Sequence, residues 1–270
     1  VNASGALDGL LDLVFPKRCV VCRAAGAWLC ESCAAGLRPL PERRCRRCGA
    51  PVRGARPQRS RRSDAADPVP LRPSCPECRD RDLAFVSAVA AYCYEGPARA
   101  LVTACKFRAL RSLVDDMGER AQPAFAAAYG GGRGGVVTSV PAHRDHRLER
   151  GFDPAELLAR RLARDAGLTY APLLRRVRHG ARQSGLARAE RAANVRRAFA
   201  LRESGIRVGT KAKKVIIVDD VYTTGETLNQ CAEAFAHSDL EAHAFTFART
   251  VRATPSQASL DHAVQKERCP

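Results

Sequence analysis

Asp219 and Asp220 stand side by side, and Thr223, Thr224, Gly225 and Thr227 follow a few residues later. The two carboxylates would repel a phosphate, so their natural partners are neutral hydroxyls or a cation. The threonines supply hydroxyl donors, and the glycine lets the backbone approach an anion closely. A phosphate at one end of a ligand and a sugar diol a few ångströms away would satisfy both groups. Two other chemistries fit the pair taken alone: an ordinary helix cap and a phospho-acceptor aspartate.

A second set of residues is cationic. Lys106 falls near the end of one apolar segment, and Arg144, Arg150 and Gly151 follow another. Guanidinium forks pair phosphate oxygens bidentately, which suits Arg144 and Arg150 to a phosphate group. Lys106 is placed either to reach the same group or to sit as a solvated helix end. His143, His146 and His179 lack the spacing of a metal motif and read as loop or surface residues.

The third set is cysteine. Eight of the 12 cysteines come as C-x-x-C pairs: Cys19/Cys22, Cys30/Cys33, Cys45/Cys48 and Cys75/Cys78. Such a pair reaches one tetrahedral ion with two thiolates, and two pairs close a Cys₄ site with no open position. Two structural Zn²⁺ sites are expected, grouped Cys19/22/30/33 and Cys45/48/75/78, with an interleaved grouping also open. Redox activity is the competing role of the motif, and four tandem copies argue against it. Cys93, Cys105 and Cys231 fall in apolar surroundings and read as core; Cys269 is also unpaired.

These residues need elements to hold them. Val215 to Val218 is a run of β-branched residues, predicting a strand buried on both faces. The acidic pair follows where that strand should leave its sheet, and Leu228 to Phe235 has helical apolar spacing. Ligands of open α/β sheets bind beyond such strand ends, where a helix N-terminus can hold a phosphate. Phe85 to Tyr94, Val136 to Val140 and Ala242 to Phe247 predict further strands. Helices are expected through Phe107, over Leu113–Tyr129 and over Pro154–Ala166, and a cationic glycine-containing loop over 141–153. Arg175 to Phe199 is polar and Arg-dense, which suits a mobile lid or a plain surface hairpin. The boundaries expected are an N-terminal helix and cysteine module over 1–82 with a basic loop near 51–74, an α/β domain over 83–250, and a tail over 251–270.

The formal net charge is +17, which invites contact with a polyanion. Arginine greatly outnumbers lysine and alanine is abundant, so genome composition is the competing source. Arg43, Arg44, Arg46 and Arg47 crowd the third cysteine pair, but stacking aromatics are scarce there apart from Trp28. No run has membrane-spanning length, and Val1 to Phe15 reads as a short docking helix stopped by Pro16. A cytoplasmic location is expected.

The stretch Val215 to Thr227 resembles the phosphoribosyl pyrophosphate (PRPP) motif of type I phosphoribosyltransferases. The whole set is similar to the ComF family of phosphoribosyltransferase-like proteins with an N-terminal zinc ribbon. That set comprises Leu10-Leu11-Asp12-Leu13-Val14-Phe15-Pro16, the paired cysteines, Cys105-Lys106-Phe107, Val140-Pro141, Glu149-Arg150-Gly151-Phe152, Gln183, Arg191 and Asn194-Val195, with the acidic motif. The resemblance implies a type I phosphoribosyltransferase fold, an α/β sheet mostly parallel and flanked by helices. It further implies PRPP held with Mg²⁺ over Asp219, Asp220, Val221, Tyr222, Thr223, Thr224, Gly225 and Thr227. The acidic pair would take the ribose hydroxyls and the threonine turn the 5-phosphate. Lys106, Arg144, Arg150 and Gly151 would face the pyrophosphate, with Gln183 and Arg191 in the lid. Its partners would be single-stranded DNA and a DNA-import helicase, either around a transferase of unassigned acceptor or around a non-catalytic adaptor. The family usually continues Arg-Gly-Phe with Asn-Gln, whereas Asp153-Pro154 stands here; the proline suits a first helical turn.

Overall fold

A computed structural model of the chain describes residues 17–52, 75–108, 111–130, 134–177, 198–202 and 212–251. The expected docking helix, most of the basic loop, Gln183, Arg191 and the tail lie outside the described residues.

The centre is β6 (Lys214–Tyr222), whose residues Val215 to Val218 are all buried. Its side chains alternate between two cores, Val215 and Ile217 to one face, Ile216 and Val218 to the other, as the two-residue strand period requires. Parallel neighbours are β7 (Glu241–Arg249) on one side and β2 (Gly135–Ser139) on the other. The five-stranded sheet runs β1 (Ser87–Cys93), β7, β6, β2, β3 (Thr169–Tyr170), with every pairing parallel.

Helices α2 (Gly96–Arg108), α3 (Arg111–Tyr129) and α5 (Pro154–Asp165) cover one face, burying Leu101, Met117, Phe125, Leu158 and Leu162 against Phe245 and Phe247. The short helix α1 (Glu31–Ala34) and the first cysteine cluster join this side, where Cys19 and Leu29 are buried. Helix α6 (Glu226–Glu233) and the second cysteine cluster cover the other face through Leu228, Cys231 and Phe235. Cys93, Cys105 and Cys231 are buried as expected.

Two differences from the expected elements matter for the site. Residues 141–153 are not all loop: Arg144–Arg150 forms α4, capped by the His143 ring, which accepts from the Asp145 N–H at 3.4 Å. Its first turn carries Asp145 and its last Arg147 and Arg150, the charge order a helix dipole favours. Gly151 ends it at φ +72°. The second difference is that β6 does not end before its acidic pair. Its ladder with β7 continues to Tyr222, whereas its last rung with β2 is Ser139–Val218. Beyond 177, the Arg-rich segment is framed by an antiparallel pair, β4 (Leu174–Arg176) with β5 (Phe199–Leu201).

Candidate functional site

Because β2 stops one rung before Asp219, a gap opens beside the acidic pair. This gap is also where the sheet changes direction: β2 is followed outward by β3, and β6 by β7 on the opposite side. Such a switch point, at the carboxyl ends of the strands, is where open α/β sheets take ligands. A cleft of about 550 Å³ lies there, and its lining includes Asp219, Asp220, Lys106, Arg150, His143 and His146.

The charges inside are arranged unequally. Lys106 Nζ sits 2.7 Å from Asp220 Oδ2, with both side chains largely covered. Burial works against the ammonium ion, but Asp220 and, behind it, Asp219 outweigh it and raise the Lys106 pKa. Asp219 is pushed well above the usual carboxylate range by burial and by the neighbouring Asp220 charge. The Asp220 N–H, which donates to Asp219 Oδ1 at 2.9 Å, only partly opposes this. The adjoining Cys105 thiol is held up at about 12, by burial first and by Asp220 second.

Asp153, the residue that departs from the family pattern, does not turn its charge loose in the cleft. It is buried and caps α5, accepting from the Ala155 and Glu156 amides, while its other oxygen accepts from the Ala142 N–H at 2.8 Å. It thereby ties the loop after β2 to the start of α5. Burial raises its pKa despite those three donors.

The threonine turn follows at the mouth of α6. Thr223, Thr224 and Thr227 are exposed, and Gly225 is the helix cap at φ +79°. A Cβ at Gly225 would overlap the Tyr222 ring, so glycine is required there on two counts. Tyr222 points its ring down into the core rather than outward, and Val221 packs partly against the other core. The turn is not part of the cleft's lining; it stands next to it along the chain. Arg144 and Arg150, expected on one pyrophosphate, are separated. Arg150 lines the first cleft, whereas Arg144 lines a second cavity of about 720 Å³ with Arg147, Arg175, Arg176 and Arg202. Arg176 borders both. Gly151 serves as the left-handed end of α4.

His143, His146 and Arg176 line the first cleft although no motif marks them. The signal available for the histidines was position alone, in the segment after a buried strand.

Each cysteine cluster fits a zinc ion. The ligand atoms within Cys19/22/30/33, and within Cys45/48/75/78, all lie within 4.8 Å of one another. A tetrahedron with Zn–S near 2.3 Å needs sulfurs roughly 3.8 Å apart. Cys22–Cys30 at 3.5 Å and Cys48–Cys75 at 3.3 Å are a few tenths of an ångström shorter than that, so small side-chain shifts would seat one ion in each cluster. The sequential grouping is the one found.

The two cysteine clusters agree with a family comparison. Residues 10–79 match the double zinc ribbon domain family. Competence protein F of Haemophilus influenzae (strain ATCC 51907 / DSM 11121 / KW20 / Rd) is 32% identical over 99 residues. The chain is ComF-like. That match spans 36% of the ComF-like chain and 42% of its relative, under half of either. Two solved structures give partial likenesses. One is glutamine PRPP amidotransferase from B. subtilis complexed with ADP and GMP, 22% identical, covering 50% of this chain and 26% of that one, TM-score 0.31. The other is described as the allosteric regulatory enzyme of purine biosynthesis, 19% identical, covering 57% and 32%, TM-score 0.34. Among the described residues, no helix of the ComF-like chain is long and apolar enough to cross a membrane.

Proposed function

We propose that the cleft at the end of β6 binds PRPP as its Mg²⁺ complex. The observation that carries this reading is the convergence of Asp219, Asp220, Lys106 and Arg150 on one cleft at the sheet's switch point. The acidic pair meets the ribose hydroxyls, accepting hydrogen bonds from them. The threonine turn takes the 5-phosphate: Thr223 lies three residues beyond Asp220, at most about 10 Å of chain, within the span of one phosphosugar. Arg150 and Lys106 take the pyrophosphate, with Lys106 exchanging its Asp220 partner for the ligand. Mg²⁺, when bound, would neutralise phosphate oxygens and favour departure of the pyrophosphate. Displacement at the sugar's anomeric carbon would then form a bond to an acceptor and break the one to pyrophosphate.

Calorimetric titration with PRPP–Mg²⁺ tests this. Saturable binding that is weakened at least tenfold in Asp220→Asn is expected, and a flat titration of the unaltered chain overturns it. Release of pyrophosphate that depends on an added acceptor marks a transferase. A second reading has its own observation, the cavity lined by Arg144, Arg147, Arg175, Arg176 and Arg202. On it the chain is an adaptor that grips single-stranded DNA beside a DNA-import helicase, with PRPP as a regulator.

A further inference from the structure

Arg249 ends β7, and its side chain is only 2% exposed. A buried guanidinium needs partners, and these come from two distant parts of the chain. Nη1 donates to the Cys48 carbonyl and Nη2 to the Glu77 carboxylate, each at 2.6 Å. Its flat face covers the Tyr222 ring, with Cζ 3.9 Å from the centroid. Cys48 is a ligand of the second cluster, and Glu77 stands between ligands Cys75 and Cys78. Tyr222 is the floor on which Gly225 and the threonine turn rest. One side chain therefore holds the cluster with its hydrogen bonds and the base of the turn with its face.

A second tie runs parallel to it. Arg81, three residues past Cys78, donates to the Thr224 carbonyl at 2.5 Å and pairs with Glu226 at 3.6 Å. Ala84 N–H then donates to the Asn229 side chain at 2.7 Å. The first cluster is anchored elsewhere: Trp28 donates to Ser112 and Arg120 to the Leu29 carbonyl, both on the α3 side.

We infer that the second cysteine cluster is the foundation of the threonine turn, with Arg249 and Arg81 as the positioning residues that transmit its shape. Neither lines the cleft, so both act through the turn. When the four sulfurs share one ion, the segment from Cys75 to Ala84 is stiff and holds the turn through Arg81 and Arg249. When that cluster opens, Glu77 and the Cys48 carbonyl move, Arg249 loses both hydrogen bonds, and the turn loses its floor. The consequence for ligand affinity rests on the PRPP reading; the mechanical coupling does not.

Hydrogen exchange on the full zinc-loaded chain separates the two. The peptide spanning Tyr222 to Gln230 is followed in the unaltered chain, in Arg81→Ala, in Glu77→Gln and in Arg249→Met, with a peptide over Gly135–Ser139 as control. Arg81→Ala and Glu77→Gln leave the core in place, so they remain informative if Arg249→Met fails to fold. Exchange in the turn peptide should accelerate at least tenfold in each, with the β2 control unchanged, and stripping zinc with a chelator should do the same. Arg249→Lys, which keeps the charge but cannot span both partners, should fall between. Unchanged exchange at the turn in Arg81→Ala and Glu77→Gln overturns the coupling whether or not PRPP binds. Titration with PRPP–Mg²⁺ on the same variants reads the consequence: weaker binding in step with faster exchange. If the unaltered chain binds no PRPP, the ligand reading fails while the exchange result still decides the coupling.

Discussion

Asp219 lies against Asp220, and Asp220 faces Lys106 at 2.7 Å, so the two acids have different partners and substitutions at them should act in opposite directions. Burial and Asp220 raise the Asp219 pKa. The folded chain thus binds that proton more tightly than the unfolded chain, and the stability involved is present below the ordinary carboxylate range and lost as pH rises through the folded pKa. Asp219→Asn should raise Tm by a few degrees at neutral pH, with the gain vanishing near pH 4; a thermal melt series against pH reads this. Asp220→Asn instead leaves Lys106 covered without its counter-charge. It should lower Tm by a few degrees while weakening PRPP binding, and adding Lys106→Met should restore Tm without restoring binding. A collapse of Tm in Asp220→Asn with affinity retained would make the pair structural.

At the scale of elements, the loop after β2 and the start of α5 are joined through one carboxylate. Asp153→Ala removes a helix cap, about 1 kcal/mol, and leaves the part-buried Ala142 N–H without its acceptor, about 1–3 kcal/mol. A loss of roughly 2–4 kcal/mol in chemical denaturation is expected, and a loss below about 1 kcal/mol would mean that the loop relaxes to find another acceptor. Some of this architecture is legible locally. Val215 to Val218 announces a doubly buried strand, and the C-x-x-C pairs announce their metal, because strand period and ligand spacing are properties of neighbouring residues. The continuation of β6 through its acidic pair is not legible, since it depends on β7 being longer than β2. The short helix Arg144–Arg150 is hidden because its cap is a histidine rather than Ser, Thr, Asp or Asn. Asp153 reads as a stray charge until its three amide donors are in view. Arg249 has no local signal at all: its partner Cys48 is 201 residues away.

For the whole molecule, the question is whether the charge of +17 is an instrument or a by-product of composition. The arginines are not equivalent in their surroundings. Arg160, Arg161 and Arg164 on α5 face Glu156 and Asp165, so their charge is spent within the fold. Arg175, Arg176 and Arg202 share a cavity with Arg144 and Arg147, against Asp145 and the helix-capping Asp153. A polyanion binding through the cavity would release counterions in proportion to the phosphates it seats, with log K falling by about 0.7 per contact for a single strand. Replacing Arg175, Arg176 and Arg202 together with glutamine should therefore flatten the salt dependence of oligonucleotide binding by about 2 in log–log slope. The same replacement of Arg160, Arg161 and Arg164 should leave the slope nearly unchanged, after a melt confirms that each variant is folded. Equal flattening by both sets would assign the affinity to net charge alone, because only a located site can distinguish one group of arginines from another.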